Sequence, residues 1–303
     1  MGSVCFSNCL ACVHLPQYYR IHLYKNISVL IELLLFSFSR VIVRTKTIST
    51  TYRPSWNDVR IIRAMLALAT EALKDHRTTH LIFVTETCIP IATLKDVATS
   101  VVIIPNPSQT IQLNQSFICA YNSDSPSCTR FDERECFSSL YKYFPQEVLY
   151  KALPGWCLLS RLHIQSILDL PSLILNTTST TQQQSEEKYN LWSLFQNVWA
   201  PEEVYFATCL ALLGFLPCEH AVSKSLMFAC WDKHAKNHSD RAHPRSYDHE
   251  LSKSLVQDLR KSGYMFMRKL KNHIALESWR YYINDDESTE SGPSLKKIRT
   301  SAP

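Results

Sequence analysis

The stretch that decides the fold is Ser55–Ile91, "SWNDVRIIRAMLALATEALKDHRTTHLIFVTETCIPI". In its first half, Ile61, Met65, Leu68, Ala72 and Leu73 recur at close to 3.6 residues, which predicts an amphipathic helix over Trp56–Lys74. In its second half, "THLIFVTET" (Thr79–Thr87) is a short apolar run that turns polar at its end. That pattern predicts a buried parallel strand whose C-terminal end meets a site. A helix leading into a buried strand is α/β organisation.

Further along the chain the same alternation continues. A short strand is expected near Phe117–Tyr121, within a Pro-, Asn- and Ser-rich loop over 105–135. "GWCLLSRLHIQSIL" (Gly155–Leu168) reads as a strand or turn entering a helix. "NTTSTTQQQSEEK" (176–188) reads as a polar low-complexity loop. A helix is expected from Pro201, a strand in "SLMFACWD" (Ser225–Asp232), and a helix in "LSKSLVQDLRKSG" with Gly263 as its C-cap. "YMFMRKL" (Tyr264–Leu270) closes the domain, and the tail from Asp285 reads as disordered. Near the N-terminus, "YYRIHLY" (Tyr18–Tyr24) alternates as a strand does.

Composition removes several function classes. Only 5 glycines occur in 303 residues, so no glycine-rich phosphate loop is available, and neither G-x-G-x-x-G nor G-x-x-x-x-G-K is present. A net charge of +5 without a dense Lys/Arg stripe gives no nucleic-acid interface. With 46% hydrophobic and 19% charged residues the chain can bury a sizeable core.

The 11 cysteines leave two readings open. Cys88, Cys119, Cys157, Cys209 and Cys230 sit in or beside apolar stretches, as small buried hydrophobes do. A secreted chain with disulfides is the other reading, supported by sequons at Asn26, Asn114, Asn176 and Asn237. Cys5, Cys9, Cys12 and His14 lie close together but lack a second zinc half-site, and His234, His238 and His243 near Cys230 match no zinc spacing. No metal is expected at either. Ile27–Val43 is apolar but carries Glu32 and Arg40, so it reads as a buried segment at least as well as a membrane anchor.

"PEEVYFAT" (Pro201–Thr208) poses the chemical question. Proline suits the first helical position, and two carboxylates in the first turn suit the positive end of the helix dipole. Taken alone, Glu202 and Glu203 are a helix start.

Six segments in this order resemble the core-2/I-branching β-1,6-N-acetylglucosaminyltransferases. They are "SWNDVRIIRAMLALATEAL", "FVTETCIPI", "GWCLLSR", "PEEVYFAT", "HPRSY" and "FMRKL", and the likeness spans roughly Phe36–Leu276. The resemblance implies a GT-A-type fold with a mixed, mostly parallel central sheet. It divides the chain into an N-terminal segment 1–35, a glycosyltransferase domain 36–282 and a disordered tail 283–303. It also implies an inverting enzyme of the Golgi lumen, anchored as a type II membrane protein, that moves a sugar from a UDP-sugar to a glycan or glycoprotein acceptor. N-acetylglucosamine is the favoured sugar, with xylose and glucuronic acid as alternatives.

Carried over residue by residue, the resemblance makes Glu203 the catalytic base, with Glu202 left to cap the helix. Arg245 and Lys269 become the cations for the departing diphosphate, and Arg268 a weaker third. The family needs no metal and no other cofactor, and no Asp-x-Asp occurs here. Glu86, at the end of the buried strand, and Trp231 are candidate sugar contacts, and Trp156 is a weaker one. The family's first strand is not recognisable before Tyr18, which opens a second reading: an inactive or truncated glycan-binding relative.

Overall fold

The computed structural model describes residues 8–14, 20–23, 42–45, 54–55, 57–76, 78–85, 87–92, 115–122, 137–152, 157–178, 190–216, 221–222, 224–231, 244–247 and 251–270. Among them, helix α1 (Arg60–Leu73) follows the predicted periodicity and buries Ile61, Ile62, Met65, Leu68, Ala69, Ala72 and Leu73. Each large side chain of that stripe contributes about 1.5–3 kcal/mol by leaving water. The turn into α1 is fixed by Asp58, whose carboxylate accepts from the backbone N–H of Arg60 at 2.8 Å and of Ser55 at 3.3 Å.

The chain leaves α1 through a short turn into strand β4 (Thr78–Thr85), the predicted buried strand. Arg161 stitches this turn. Its guanidinium donates to the carbonyls of Leu73, Asp75 and Thr78 at 2.7–3.1 Å, satisfying the last helix oxygen, one oxygen of the turn that follows and the first of β4. The arginine of "GWCLLSR" is thus a structural clamp.

β4 lies inside a seven-stranded sheet. Its other members are β1 (Asn8–His14), β2 (Arg20–Leu23), β3 (Ile42–Thr45), β6 (Ser116–Phe117), β9 (Leu158–Ser160) and β10 (Ala221–Val222). The order is β10-β6-β9-β4-β1-β2-β3. Two expectations are corrected here. Only β10–β6 and β2–β3 run parallel; β6–β9, β9–β4, β4–β1 and β1–β2 are antiparallel, so the described sheet is mixed but not mostly parallel. An apolar run reports burial on both faces, and burial does not set strand direction. Second, a strand does precede Tyr18: β1 pairs with β4 along its length, from Asn8 opposite Thr85 to Cys12 opposite Leu81. Its cysteines and polar residues hide the usual β signal.

Helix α2 (Arg161–Thr178) follows β9 directly. Helix α3 (Pro201–Leu212) is buried from Val204 to Ala211, as a helix apolar on all sides must be. α1, α2 and α3 pack on one another and on the sheet to form the main core. Phe83 of β4 meets Phe206 of α3 with ring centroids 5.4 Å apart.

Within this core Cys157 and Cys209 are buried thiols. Burial pushes the Cys157 thiol up to about 12 and raises that of Cys209. Both behave as the small hydrophobes of the first cysteine reading.

A second, three-stranded sheet has the order β11-β12-β5, from β11 (Met227–Ala229), β12 (Phe266–Arg268) and β5 (Ile89–Pro90). Helix α4 (Lys253–Lys261) belongs to its small core of Ile89, Ile91, Val256, Leu259 and Met267. Ser252 caps α4 by accepting from the Leu255 N–H, and the helix ends at Gly263 as expected. The Gly263 and Tyr264 N–H groups donate to Arg260 and Leu259, closing a left-handed cap at φ 82° that a side chain would strain. A two-stranded ribbon of β7 (Ala120–Asn122) and β8 (Tyr150–Ala152) completes the strands. The loop at 176–188 begins inside α2, and its remainder lies outside the described residues, as do the tail, the sequons at Asn26, Asn114 and Asn237, and all of the apolar stretch Ile27–Val43 except its last two residues, which open β3.

Candidate active site

α3 begins as the sequence predicts, with Pro201 in its first turn followed by Glu202 and Glu203. Both carboxylates therefore stand at the positive end of the helix dipole. Glu202 stands in the first turn, as expected, behind Ala200, whose own side chain makes no cap bond, and one carboxylate oxygen of Glu202 is buried without a hydrogen-bond partner among the described residues.

Burial, and then the charge of Glu203, push the Glu202 carboxyl up to about 7, against the opposing pull of Lys151 and Arg268. Glu202 therefore holds its proton more tightly than an ordinary carboxyl does.

Glu203 forms an ion pair with Lys151, Oε2 to Nζ, at 3.5 Å. The Lys151 side chain is 1% exposed and that of Glu203 14%, so solvent screens this pair little. Thr208, one turn and a half along α3, holds β8 in place. Its hydroxyl accepts from the Tyr150 N–H and donates to the Tyr150 carbonyl, both at 3.2 Å. That bridge sets Lys151 beside the first turn of α3. Lys151 was not singled out in the sequence. Its one local signal is a lone cation inside the apolar run "VLYKALP".

The three-stranded sheet supplies the remaining cations. β11 and β12 are parallel, with Ala229 opposite Arg268, so Trp231 and Lys269 follow the same ends of neighbouring strands. The segment 244–247 lies across these ends. The Arg245 N–H donates to the Cys230 carbonyl at 2.7 Å, and the Tyr247 N–H donates to the Lys269 carbonyl at 2.8 Å. The Arg245 guanidinium stacks over the Tyr247 ring at 5.5 Å. Two cations that are 24 positions apart in sequence, Arg245 and Lys269, are thus brought to one strand end.

β4 reaches the same place, because the Thr87 carbonyl accepts from the Leu270 N–H at 3.0 Å. Thr87 is the residue after Glu86. Glu86 itself, like Trp156 and the three histidines at 234, 238 and 243, lies outside the described residues. Trp231 is partly buried, and Arg268 joins the two halves of the site electrostatically through Glu202.

The arrangement therefore offers two carboxylates at a helix start, a buried lysine against one of them, and three further cations at converging strand ends. Such a set can deprotonate a hydroxyl and receive an anionic leaving group. Among the described residues no helix is long and apolar enough to cross a membrane.

Comparison with known proteins bears on what this set serves. No curated protein matches the chain. A family model, Core-2/I-Branching enzyme, matches residues 16–260, which takes in β2 to α4 and both carboxylates. The chain belongs to the Core-2/I-branching enzyme family, which is glycosyltransferase-like.

Proposed function

We propose that the protein is an inverting glycosyltransferase that moves a sugar, N-acetylglucosamine in the first instance, from a UDP-sugar to a hydroxyl of a glycan acceptor. Glu203 is the general base. As the acceptor oxygen attacks the anomeric carbon, its proton passes to Glu203. The bond from that carbon to the diphosphate oxygen breaks, and UDP departs with the electron pair. Attack from the face opposite the leaving group inverts the anomeric centre.

Arg245 and Lys269 take up the charge of the departing diphosphate, as fixed cations do where no divalent ion is used. Glu86 and Trp231 contact the sugar. On this reading 36–282 is a GT-A-type catalytic domain working in the Golgi lumen, without metal.

The observation that carries the reading is the placement of Glu203. It sits in the first turn of α3, ion-paired to a buried lysine, while its neighbour Glu202 feels Arg268, the residue before Lys269. A second reading, an inactive glycan-binding relative, draws on the same ion pair, since a buried lysine against a carboxylate also serves purely structural ends.

Calorimetric titration of UDP into the purified protein with EDTA present, followed by assay of UDP release from UDP-N-acetylglucosamine, UDP-xylose and UDP-glucuronic acid with glycan acceptors, separates the two. The enzyme reading expects UDP to bind in EDTA and one donor to turn over. A folded protein that binds no UDP supports the inactive reading.

A further inference from the structure

Two residues other than glycine have left-handed backbone among the described residues, Asn57 at φ 63° and Ala200 at φ 48°. They are 143 positions apart, yet they are bonded to each other: the Ala200 N–H donates to the Asn57 side-chain oxygen. Ala200 is the residue that starts α3, and its carbonyl accepts from the Glu203 N–H at 2.9 Å. A chain of two hydrogen bonds therefore runs from Asn57 through Ala200 to the backbone of Glu203.

Asparagine tolerates this region of backbone space, whereas alanine does so only under strain that the surroundings must offset. An ordinary helix start would carry Ser, Thr, Asp or Asn at position 200, and Ala200 has no such side chain to offer. The anchor is supplied from outside the helix instead. Asn57 sits on a firm base, because the neighbouring Asp58 carboxylate ties together the N–H groups of Ser55 and Arg60 ahead of α1.

We propose that Asn57 is a positioning residue for the site: its side-chain oxygen latches Ala200 in the left-handed conformation and thereby fixes where the first turn of α3 presents Glu202 and Glu203. The kinetic part of this proposal rests on the transferase reading; the structural part does not. Small displacements of a reacting group from its productive position cost rate far more than binding. The latch therefore acts on turnover and leaves donor affinity alone.

Asn57→Gly is the informative substitution. Glycine keeps the positive φ available and removes the side-chain amide that carries the accepting oxygen. Asn57→Asp restores an acceptor at the same place.

Two readouts apply to the full chain. The first is amide hydrogen exchange at Ala200 and Glu203, which needs no substrate. In the wild type both amides are expected to be protected, and Asn57→Gly is expected to accelerate their exchange by about tenfold or more while amides in β4 keep their rates. The second is steady-state transfer with whichever UDP-sugar turns over. Asn57→Gly is expected to lower kcat by about tenfold with KM for the donor within about twofold, and Asn57→Asp to recover most of the loss.

Unprotected Ala200 and Glu203 amides in the wild type overturn the proposal, and this holds even if Asn57→Gly does not fold. Wild-type exchange and kcat in a folded Asn57→Gly protein overturn it as well. If no UDP-sugar is turned over by the wild type, the transferase reading fails while the exchange data still decide the latch.

Discussion

Two of the buried polar clusters among the described residues differ in charge. The first lies along the seven-stranded sheet. Ser116 Oγ is bonded to His163 Nδ1 at 2.7 Å and accepts from the Ser160 N–H at 2.8 Å, while Ser160 Oγ accepts from the His163 N–H at 3.3 Å. His80 Nε2 donates to the Gln115 carbonyl at 3.0 Å. This cluster carries no carboxylate, and among the described residues His163 Nε2 is a buried atom with no hydrogen bond. The second lies at the start of α3, where two carboxylates adjoin, one buried oxygen of Glu202 lacks a hydrogen bond, and two cations share the field.

A serine hydrogen-bonded to a histidine looks more like catalytic machinery than a pair of glutamates does. Here it is fully buried, and its bonds join β6, β9 and α2. Each cluster holds an unpartnered buried atom, so the difference between them is charge: the second gathers two carboxylates and two cations, the kind of setting in which perturbed groups occur.

The contrast can be broken most severely at Lys151. Lys151→Met removes one partner of a buried pair and leaves two carboxylates facing fewer cations, so a stability loss of about 3–5 kcal/mol is expected by denaturant titration. A loss under about 1 kcal/mol would mean that water reaches the pair and that the second cluster is not buried as described.

Ser116→Ala probes the first cluster. It strands the Ser160 N–H and one histidine nitrogen, and is expected to cost about 1–3 kcal/mol while UDP affinity stays unchanged. A change in UDP affinity there would erase the distinction between the clusters. Lys269→Ala is expected to do the reverse, weakening UDP binding by about tenfold to a hundredfold, as loss of a charge-assisted bond does, with stability nearly unaltered.

The pH dependence of stability sharpens the same contrast at smaller amplitude. Glu202 holds its proton more tightly in the folded state, so its contribution is complete below its ordinary value of 4.5 and is lost as pH rises through about 7. His80 is buried in its neutral form, held down to about 4 by burial, so its contribution is complete above 6.5 and is lost as pH falls through about 4. Glu202→Gln is expected to flatten the decline between pH 5 and 8 by roughly 1 kcal/mol while leaving the acid limb in place. An unchanged alkaline limb would show that Glu202 is ionised and solvated.

Local pattern made much of this legible. The stripe of α1, the apolar run of β4, the Pro201 start of α3 and the Gly263 end of α4 each follow from side chains within one element, and each is found where it was read. Strand direction and the β1 strand were not legible, because pairing partners are set by tertiary contacts and "NCLACVH" carries little β preference of its own.

In the site, the first-turn carboxylates and the Arg245–Lys269 pair could be nominated from motifs. Lys151 and Asn57 could not. One reaches Glu203 through a threonine-bridged ribbon and the other through an alanine 143 positions away. Neither link leaves a mark in the local sequence. The candidate residues could therefore be nominated from the sequence, while the residues that hold them in place could not.

The most direct test is a comparison of wild type and Glu203→Gln, with donor turnover and UDP affinity measured on the same preparations. Glutamine keeps the size of the side chain and removes the base. Turnover is expected to fall by about a hundredfold to ten-thousandfold with UDP affinity within about twofold. Wild-type turnover in Glu203→Gln would contradict the assignment of Glu203 and the reading of the second cluster as the catalytic one.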